Sequence, residues 1–331
     1  MYLIAEIGQA HEGSLGIAHS YIDALAKTGV NAVKFQTHIA EAESSTYENF
    51  RVNFSYEDKT RFDYWKRMEF TYEQWVGLKA HCEDLGLEFI SSPFSCAAVD
   101  LLEKLDVNTY KIGSGELSNR LMIDKIGALN KNIILSSGLS SFNEIERAVN
   151  WINLKENKKV SILQCTTSYP TKPEEWGLNV IQELKQKFKV PIGYSDHSGD
   201  ISCGIAAYIL GAEIFEFHCV FDKKMFGPDS TSSLNLNEII RLKKSIDVLK
   251  IALDNPIDKS LKGDLTLKKL FGKSLCVNKN LNSGDIISYE DLDSKKPAGK
   301  GISAENYLEI IGKKLSTDLN KWDFINKKNL K

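Results

Sequence analysis

The chain of 331 residues carries 42 basic and 44 acidic side chains, a formal charge of −2, with 42% apolar and 26% charged residues. That apolar share supports a sizeable buried core and excludes global disorder, while the near-neutral total gives no whole-chain argument for nucleic acid or an anionic membrane. The length exceeds one ordinary compact domain, yet barrels of about 250 residues do occur as single units.

Tyr2–Ile7 has no basic region before it and meets an acid at Glu6, so it reads as a first strand and not as a signal peptide. Further strands are expected at Ala32–Gln36, Glu88–Ser91, Thr109–Ile112, Ile133–Ser136, Ser161–Gln164, Pro191–Tyr194 and Ile214–Phe217, where apolar, β-branched and aromatic residues run up to turn residues. Helical spacing lies between most of them. In Leu15–Thr28 the stripe Ile17, Tyr21, Ile22, Leu25 and Ala26 is closed by Gly29 as a C-cap. Glu73–Leu85, Ala97–Leu105, Phe142–Trp151, Leu178–Phe188 and Ile201–Leu210 repeat the pattern. Eight such units point to a (β/α)8 TIM barrel over 1–253.

Between the second and third strands, residues 41–70 form an insertion rich in aromatics (Tyr47, Phe50, Phe54, Tyr56, Phe62, Tyr64, Trp65). Such a segment is a lid or an oligomer contact, or an accessory helix packing its own rings. The apolar stretch from Ile201 to Phe217 is broken by Gly204, Gly211, Glu213 and Glu216 and is too short and polar for a membrane span. After the barrel pattern stops, 254–264 reads as a linker and 265–331 as a small β-rich domain with turns at Asn282-Ser-Gly-Asp and Pro297-Ala-Gly-Lys-Gly. From Lys262 onward there are 14 lysines against 9 acids, a surplus of +5; the preceding 261 residues have 28 basic against 35 acidic side chains, or −7. The six cysteines are scattered with no C-x-x-C pair, as expected of reduced, mostly buried thiols in a cytoplasmic protein.

Polar residues recur where the strands end, which in a barrel is the catalytic face. Glu6 ends the first strand, with Gln9 and His11 beyond it, and Lys34, Gln36 and His38 follow on the second. The fourth runs into Lys111-Ile-Gly-Ser-Gly-Glu116, the fifth into Ser136-Ser-Gly, the sixth into Gln164-Cys-Thr-Thr-Ser-Tyr-Pro170, the seventh into Ser195-Asp-His197, and the eighth ends Glu216-Phe-His218. One such residue is explained by a buried ion pair; the whole set is not, because inner barrel positions normally take aliphatic side chains. Lys34 and Lys111 with Ser114, Ser137 and Ser195 supply cationic and hydroxyl donors suited to a phosphate or carboxylate. His197 and His218 end consecutive strands and can share one metal ion, or can each be simply hydrogen-bonded. Glu6, Glu116 and Glu216 are left for proton transfer, for sugar hydroxyls or for support of the binding groups, and chain order does not assign them.

The same residues resemble the N-acetylneuraminate (sialic acid) synthase family over nearly the whole chain. Ile4-Ala-Glu-Ile-Gly, Val33-Lys-Phe-Gln36, Lys111-Ile-Gly-Ser-Gly-Glu-Leu117, Ser195-Asp-His197, Glu216-Phe-His218 and Gly227-Pro-Asp229 carry the resemblance. Segment 265–331 resembles the antifreeze-like (SAF) domain that follows the barrel in that family. The resemblance implies condensation of phosphoenolpyruvate with an N-acylated hexosamine, usually N-acetylmannosamine, to a nine-carbon 2-keto sugar acid and phosphate. It implies Lys34, Lys111, Ser114, Ser137 and Ser195 on phosphoenolpyruvate, and His197 and His218 on Mn2+ (or Mg2+ or Co2+). It further implies Glu6 and Glu116 at the reacting centre, and Gln36, Thr167, Tyr169, Glu216, Asp229 and Lys296 around the acceptor sugar. A domain-swapped homodimer is also implied, with no nucleic-acid or membrane partner. Thr167, Ser230 and Lys296 depart from the family pattern, where Asn, His and Arg are usual, and all three fall on the acceptor side. The same chemistry on a diacetamido-trideoxyhexose, giving legionaminic or pseudaminic acid, therefore stays open. A Schiff-base aldolase using Lys111 and a non-catalytic sugar- or anion-binding protein are the other readings.

Overall fold

The structure, a computed structural model, describes residues 1–52, 54–153, 159–260 and 263–331. The chain falls into two compact units, Met1–Asp254 and Asn255–Lys331. The linker expected over 254–264 includes Leu261 and Lys262, and the insertion includes Asn53; these three lie outside the described residues.

In the first unit eight parallel strands, β1 (Tyr2–Gly8), β2 (Ala32–Thr37), β3 (Glu88–Pro93), β4 (Thr109–Ile112), β5 (Asn132–Ser136), β6 (Val160–Cys165), β7 (Ile192–Asp196) and β8 (Ile214–Val220), pair in chain order. β1 also pairs with β8, from Tyr2 opposite Ile214 to Glu6 opposite His218, so the sheet closes on itself. The barrel expected from the sequence is thus present. A two-residue strand, β9 (Leu234–Asn235), pairs in parallel with the end of β8.

Helices fill the connections. They are α1 (Leu15–Leu25), α2 (Ala40–Glu43), α3 (Arg61–Met68), α4 (Tyr72–Asp84), α5 (Cys96–Lys104), α6 (Arg120–Gly127), α7 (Phe142–Asn153), α8 (Asn179–Lys187), α9 (Ile201–Ile209) and α10 (Leu236–Asp254). Their starts follow from caps: Thr60 and Thr71 form reciprocal capping boxes with Asp63 and Gln74, and Ser95 and Asp200 accept from backbone amides of α5 and α9. In α1 the buried stripe is Ala18, Tyr21, Ile22 and Leu25; Ile17 is turned outward. The helix ends at Leu25, and Gly29 at φ +85° reverses the chain three residues beyond the C-cap Ala26 instead of capping the helix itself.

Outward-facing strand residues such as Leu3, Ala5, Val33, Phe35 and Ile133 pack with the helices into one large core. Inward-facing Ile4, Ala32, Ile90, Ile134 and Leu163 fill the barrel's own interior. On β7 the inner position at this level is Gly193, because a Cβ there would lie 2.4 Å from the Ile214 carbonyl oxygen and 2.5 Å from Leu163 Cδ2. The inserted segment builds a separate cluster, with Tyr64, Trp65 and Met68 against Phe50, Phe54 and Phe62. Arg67 ties it down, reaching Asp58 at 2.7 Å and Glu12 at 2.9 Å.

The second unit has a short helix, α11 (Leu265–Phe271), and an antiparallel pair, β10 (Ser274–Val277) with β11 (Leu292–Lys295), over a core that includes Leu275, Val277, Ile287, Leu315 and Ile325. Among the described residues all six cysteines are unpaired, and no helix is long and apolar enough to cross a membrane.

Gly193→Ala forces a methyl group into backbone. It should cost about 1–3 kcal/mol in urea unfolding, and a wild-type midpoint would show that the β7–β8 approach is looser than described.

Candidate active site

Alternate strand residues point into the barrel. One step above the apolar layer each strand contributes a polar or sulfur-bearing side chain: Glu6, Lys34, Ser92, Lys111, Ser136, Cys165, Ser195 and Glu216. All of them line a cavity of about 390 Å³ at the carboxyl ends of the strands.

Four of these are charged and deeply buried. Lys34 Nζ lies 2.7 Å from Glu6 Oε1 and 3.6 Å from Glu216 Oε1, and Lys111 Nζ lies 2.6 Å from that same Glu216 oxygen. Ser195 donates to it as well, at 3.0 Å, and Lys34 donates to Ser92 at 3.2 Å. Burial alone would push both carboxyls up. Lys34, then His218 and Lys111, nevertheless hold Glu6 well below the usual carboxylate range, and Lys111 and Lys34 do the same for Glu216. Burial likewise opposes the charge on Lys34, and Glu216 and Glu6 outweigh it. The quartet sums to zero charge. Glu216 Oε2 and Ser136 Oγ are buried without a hydrogen-bond partner among the described residues.

His197 and His218 stand above this floor with ring centroids 5.4 Å apart. The Nδ1–H of His197 donates to the Thr166 carbonyl at 2.9 Å, a tautomer assigned from that bond, so that in the neutral ring Nε2 carries the lone pair. Burial disfavours charge on this ring, but the Cys165 sulfur and the Thr166 carbonyl prevail and push it up to about 9. His218 lies 3.3 Å from Glu6 Oε2 through Nε2 and 4.0 Å from Asp229 Oδ2 through Nδ1. Tyr169 stacks on His197 with centroids 4.1 Å apart.

After β4 a single 3-10 turn, Ser114–Glu116, brings Ser114 and Glu116 to the wall. Burial raises the Glu116 carboxyl, against a 2.8 Å hydrogen bond from Asn119. The Gly138 amide donates to Ser114 Oγ at 3.1 Å, and a Cβ at Gly138 would come 2.4 Å from Thr167 Oγ1. Only glycine lets the β5 end approach both loops. From β2, Gln36 donates to Glu6 Oε1 at 2.7 Å, and His38, stacked between Trp65 and Phe94, meets Gln36 Oε1 at 3.1 Å. The inserted segment supplies the opposite wall through Glu48, Arg51, Arg61, Tyr64 and Trp65.

A profile of the NeuB family matches residues 21–258. The chain belongs to the NeuB family. It is 36% identical over 316 residues to the N,N'-diacetyllegionaminic acid synthase of Campylobacter jejuni, covering 94% of each chain. It is 30% identical over 327 residues to the human N-acetylneuraminate-9-phosphate synthase, covering 98% of this chain and 91% of that one. The crystal structure of the N-acetylneuraminic acid (sialic acid) synthetase of Leptospira borgpetersenii in complex with citrate superposes with a TM-score of 0.70 at 30% identity, over 80% of this chain and 88% of that one.

In this NeuB-family chain Glu6, Lys34, Gln36, Lys111, Ser114, Glu116, Thr167, Tyr169, Ser195, His197, Glu216, His218 and Asp229 share one cavity. Two expected positions differ. Ser137 faces outward and donates to Gln164 Oε1 at 3.4 Å, so the two-residue strand period gives the cavity Ser136 instead. Glu216, expected beside the acceptor sugar, sits one inward layer below His218 and is held between the two lysines. Lys296, expected on the small domain, lies in the second unit, where its ammonium is 4.9 Å from the Phe271 ring centroid. Ser92, Ser136, Arg51 and Phe94 were not among the expected site residues; the strand period could have found the serines, and no local signal marks Arg51.

Glu216→Gln removes one charge from the quartet and leaves two buried ammonium groups facing one carboxylate. The variant should lose about 3–5 kcal/mol in urea unfolding; an unchanged midpoint would show that the ion pairs are not set as described.

Proposed function

We propose that this chain is a nonulosonate synthase that condenses phosphoenolpyruvate with an N-acylated aldohexose and water, giving a nine-carbon 2-keto sugar acid and phosphate. The observation that carries the reading is the neutral Glu6–Lys34–Glu216–Lys111 floor beneath a histidine pair, within a NeuB-family barrel. Because the lysines are already balanced, a phosphoenolpyruvate anion needs added positive charge and further donors. Ser114, Ser136 and Ser195 provide hydroxyls, and a divalent cation fits the remaining need.

The donor set suits such a cation. On loss of its Nε2 proton His197 offers a lone pair there while its Nδ1–H stays fixed on a carbonyl, and His218 lies between Glu6 and Asp229. His197 and His218 would hold Mn2+, or Mg2+ or Co2+ in its place. When bound, the ion supplies Lewis-acid polarisation of the acceptor's aldehyde.

The protein's own groups perform the rest. Lys34 and Lys111 orient the phosphoenolpyruvate anion so that its enol carbon attacks the aldehyde carbon. Glu6 lies close enough to His218 to stabilise the oxocarbenium carbon that forms. Glu116, whose carboxyl burial raises above its ordinary value, is placed to pass a proton to the new hydroxyl. Water adds to the cation, and the tetrahedral intermediate breaks its C–O bond to release phosphate. Lys111, engaged in a 2.6 Å ion pair, has the setting of a cation and not the apolar setting of a Schiff-base nucleophile.

For the acceptor, two observations favour a diacetamido-trideoxyhexose over N-acetylmannosamine. The identity to the legionaminic acid synthase is 36% against 30% for the human enzyme. Phe94, half-buried on the cavity wall, also offers a ring suited to extra methyl groups. The small second unit we assign to the SAF domain of the same family.

Phosphate release from phosphoenolpyruvate should require both an N-acylated hexose and a divalent metal, with the diacetamido-trideoxyhexose giving the higher kcat/KM and product mass naming the sugar acid. A panel of such acceptors yielding no phosphate under Mn2+, Mg2+ or Co2+ sinks the proposal. His218→Ala should remain folded, lose bound metal by elemental analysis and lose turnover by at least about 100-fold; full activity would remove the metal assignment. Borohydride with substrate should leave the protein unlabelled, and covalent labelling of Lys111 would establish the aldolase instead.

A further inference from the structure

Arg51 comes from the inserted segment and lines the cavity. One Nη2–H donates to Asp229 Oδ1 at 3.0 Å, and the guanidinium carbon lies 4.0 Å from the Tyr169 ring centroid. Both contacts lead to the histidines. Tyr169 stacks on His197, and the other Asp229 oxygen lies 4.0 Å from His218 Nδ1. Arg51 is therefore anchored on the side of the site where the acceptor's aldehyde would be held, not where the phosphoenolpyruvate anion would bind.

An arginine has five N–H donors. The one to Asp229 is the only hydrogen bond that Arg51 makes to a described residue. Its side chain is 44% exposed, so the other donors face the cavity mouth and solvent. Paired with Asp229, the guanidinium adds no net charge and does not by itself favour a second anion. It suits a neutral polar group that accepts hydrogen bonds. An amide carbonyl is such a group.

We propose that Arg51 is the residue that recognises the acceptor's N-acyl group, donating from its free guanidinium edge to the acyl carbonyl while Asp229 and Tyr169 hold its plane. The assignment rests on the function proposed above. It makes the inserted segment the source of acceptor selectivity, independently of the lysine floor that the other substrate uses.

The test is steady-state kinetics with Arg51→Met, which keeps an unbranched side chain and removes the donors. Loss of a charge-assisted hydrogen bond is worth about 1.5–3 kcal/mol, or roughly 10- to 150-fold. KM for the N-acylated hexose should rise by that factor, and KM for phosphoenolpyruvate should stay within about 2-fold. The parent hexose with hydroxyl in place of the acylamino group, used as substrate or competitive inhibitor, should bind wild type and variant equally. A thermal midpoint within about 2 °C of wild type shows that the variant is folded. An unchanged KM for the N-acylated sugar, or equal weakening of both sugars, overturns the assignment while leaving the synthase function standing. Absence of turnover by the wild-type protein contradicts the function and this assignment together.

Discussion

Glu6, Lys34, Glu216 and Lys111 place four charges in a barrel interior where their side chains are 2–4% exposed. Each would be expensive alone, and only their mutual contacts make the layer tolerable. That requirement fixes the strands relative to one another: Glu6 on β1 meets Lys34 on β2, while Glu216 on β8 reaches across to both Lys34 and Lys111 on β4. The closing β1–β8 register, with Glu6 opposite His218, brings the histidines down onto the same carboxylates. A barrel floor built this way is a charged, preorganised surface that is neutral in sum. It gains affinity for an anion only together with added positive charge, which links the phosphoenolpyruvate and metal readings to a single electrostatic condition.

Above that floor the site is asymmetric. The lysines and serines belong to strands and a single 3-10 turn, rigid elements with short connections. The opposite wall belongs to an insertion that packs its own aromatic cluster and is pinned by Arg67 to Asp58 and Glu12. This division lets the wall change without disturbing the floor. Relatives named for neuraminate and for legionaminate both fall within the family of this chain, as expected if acceptor identity is written in loops and the condensation in the strands.

The fold was legible because its signals are local. Each barrel strand ended within three residues of its expected position, since β-branched runs closed by turn residues leave little choice. α6 has no legible signal because eight residues give barely two turns of stripe, and in α1 Ala18 takes the buried position that the spacing gives to Ile17. The site was legible as a set: thirteen of the expected side chains meet in one cavity. Depth and direction were harder. Ser136 and Ser137 are equivalent in composition and are separated only by strand phase, which had to be fixed from Asn132 onward. Glu216 resembles an acceptor ligand in order along the chain, yet the barrel's layering puts it under the histidines. Arg51 has no marker at all, because it enters the site through tertiary contacts with residues more than a hundred positions away.

The central claim is that this floor holds phosphoenolpyruvate for cleavage at carbon and not at phosphorus. Phosphoenolpyruvate labelled with heavy oxygen at the bridging position, turned over with an N-acylated hexose and metal, tests it most directly by mass spectrometry of both products. The structure predicts the label in the released phosphate and none in the sugar acid. Label retained in the sugar acid, with unlabelled phosphate, would mean P–O cleavage and would contradict the role given to the Lys34–Lys111 floor.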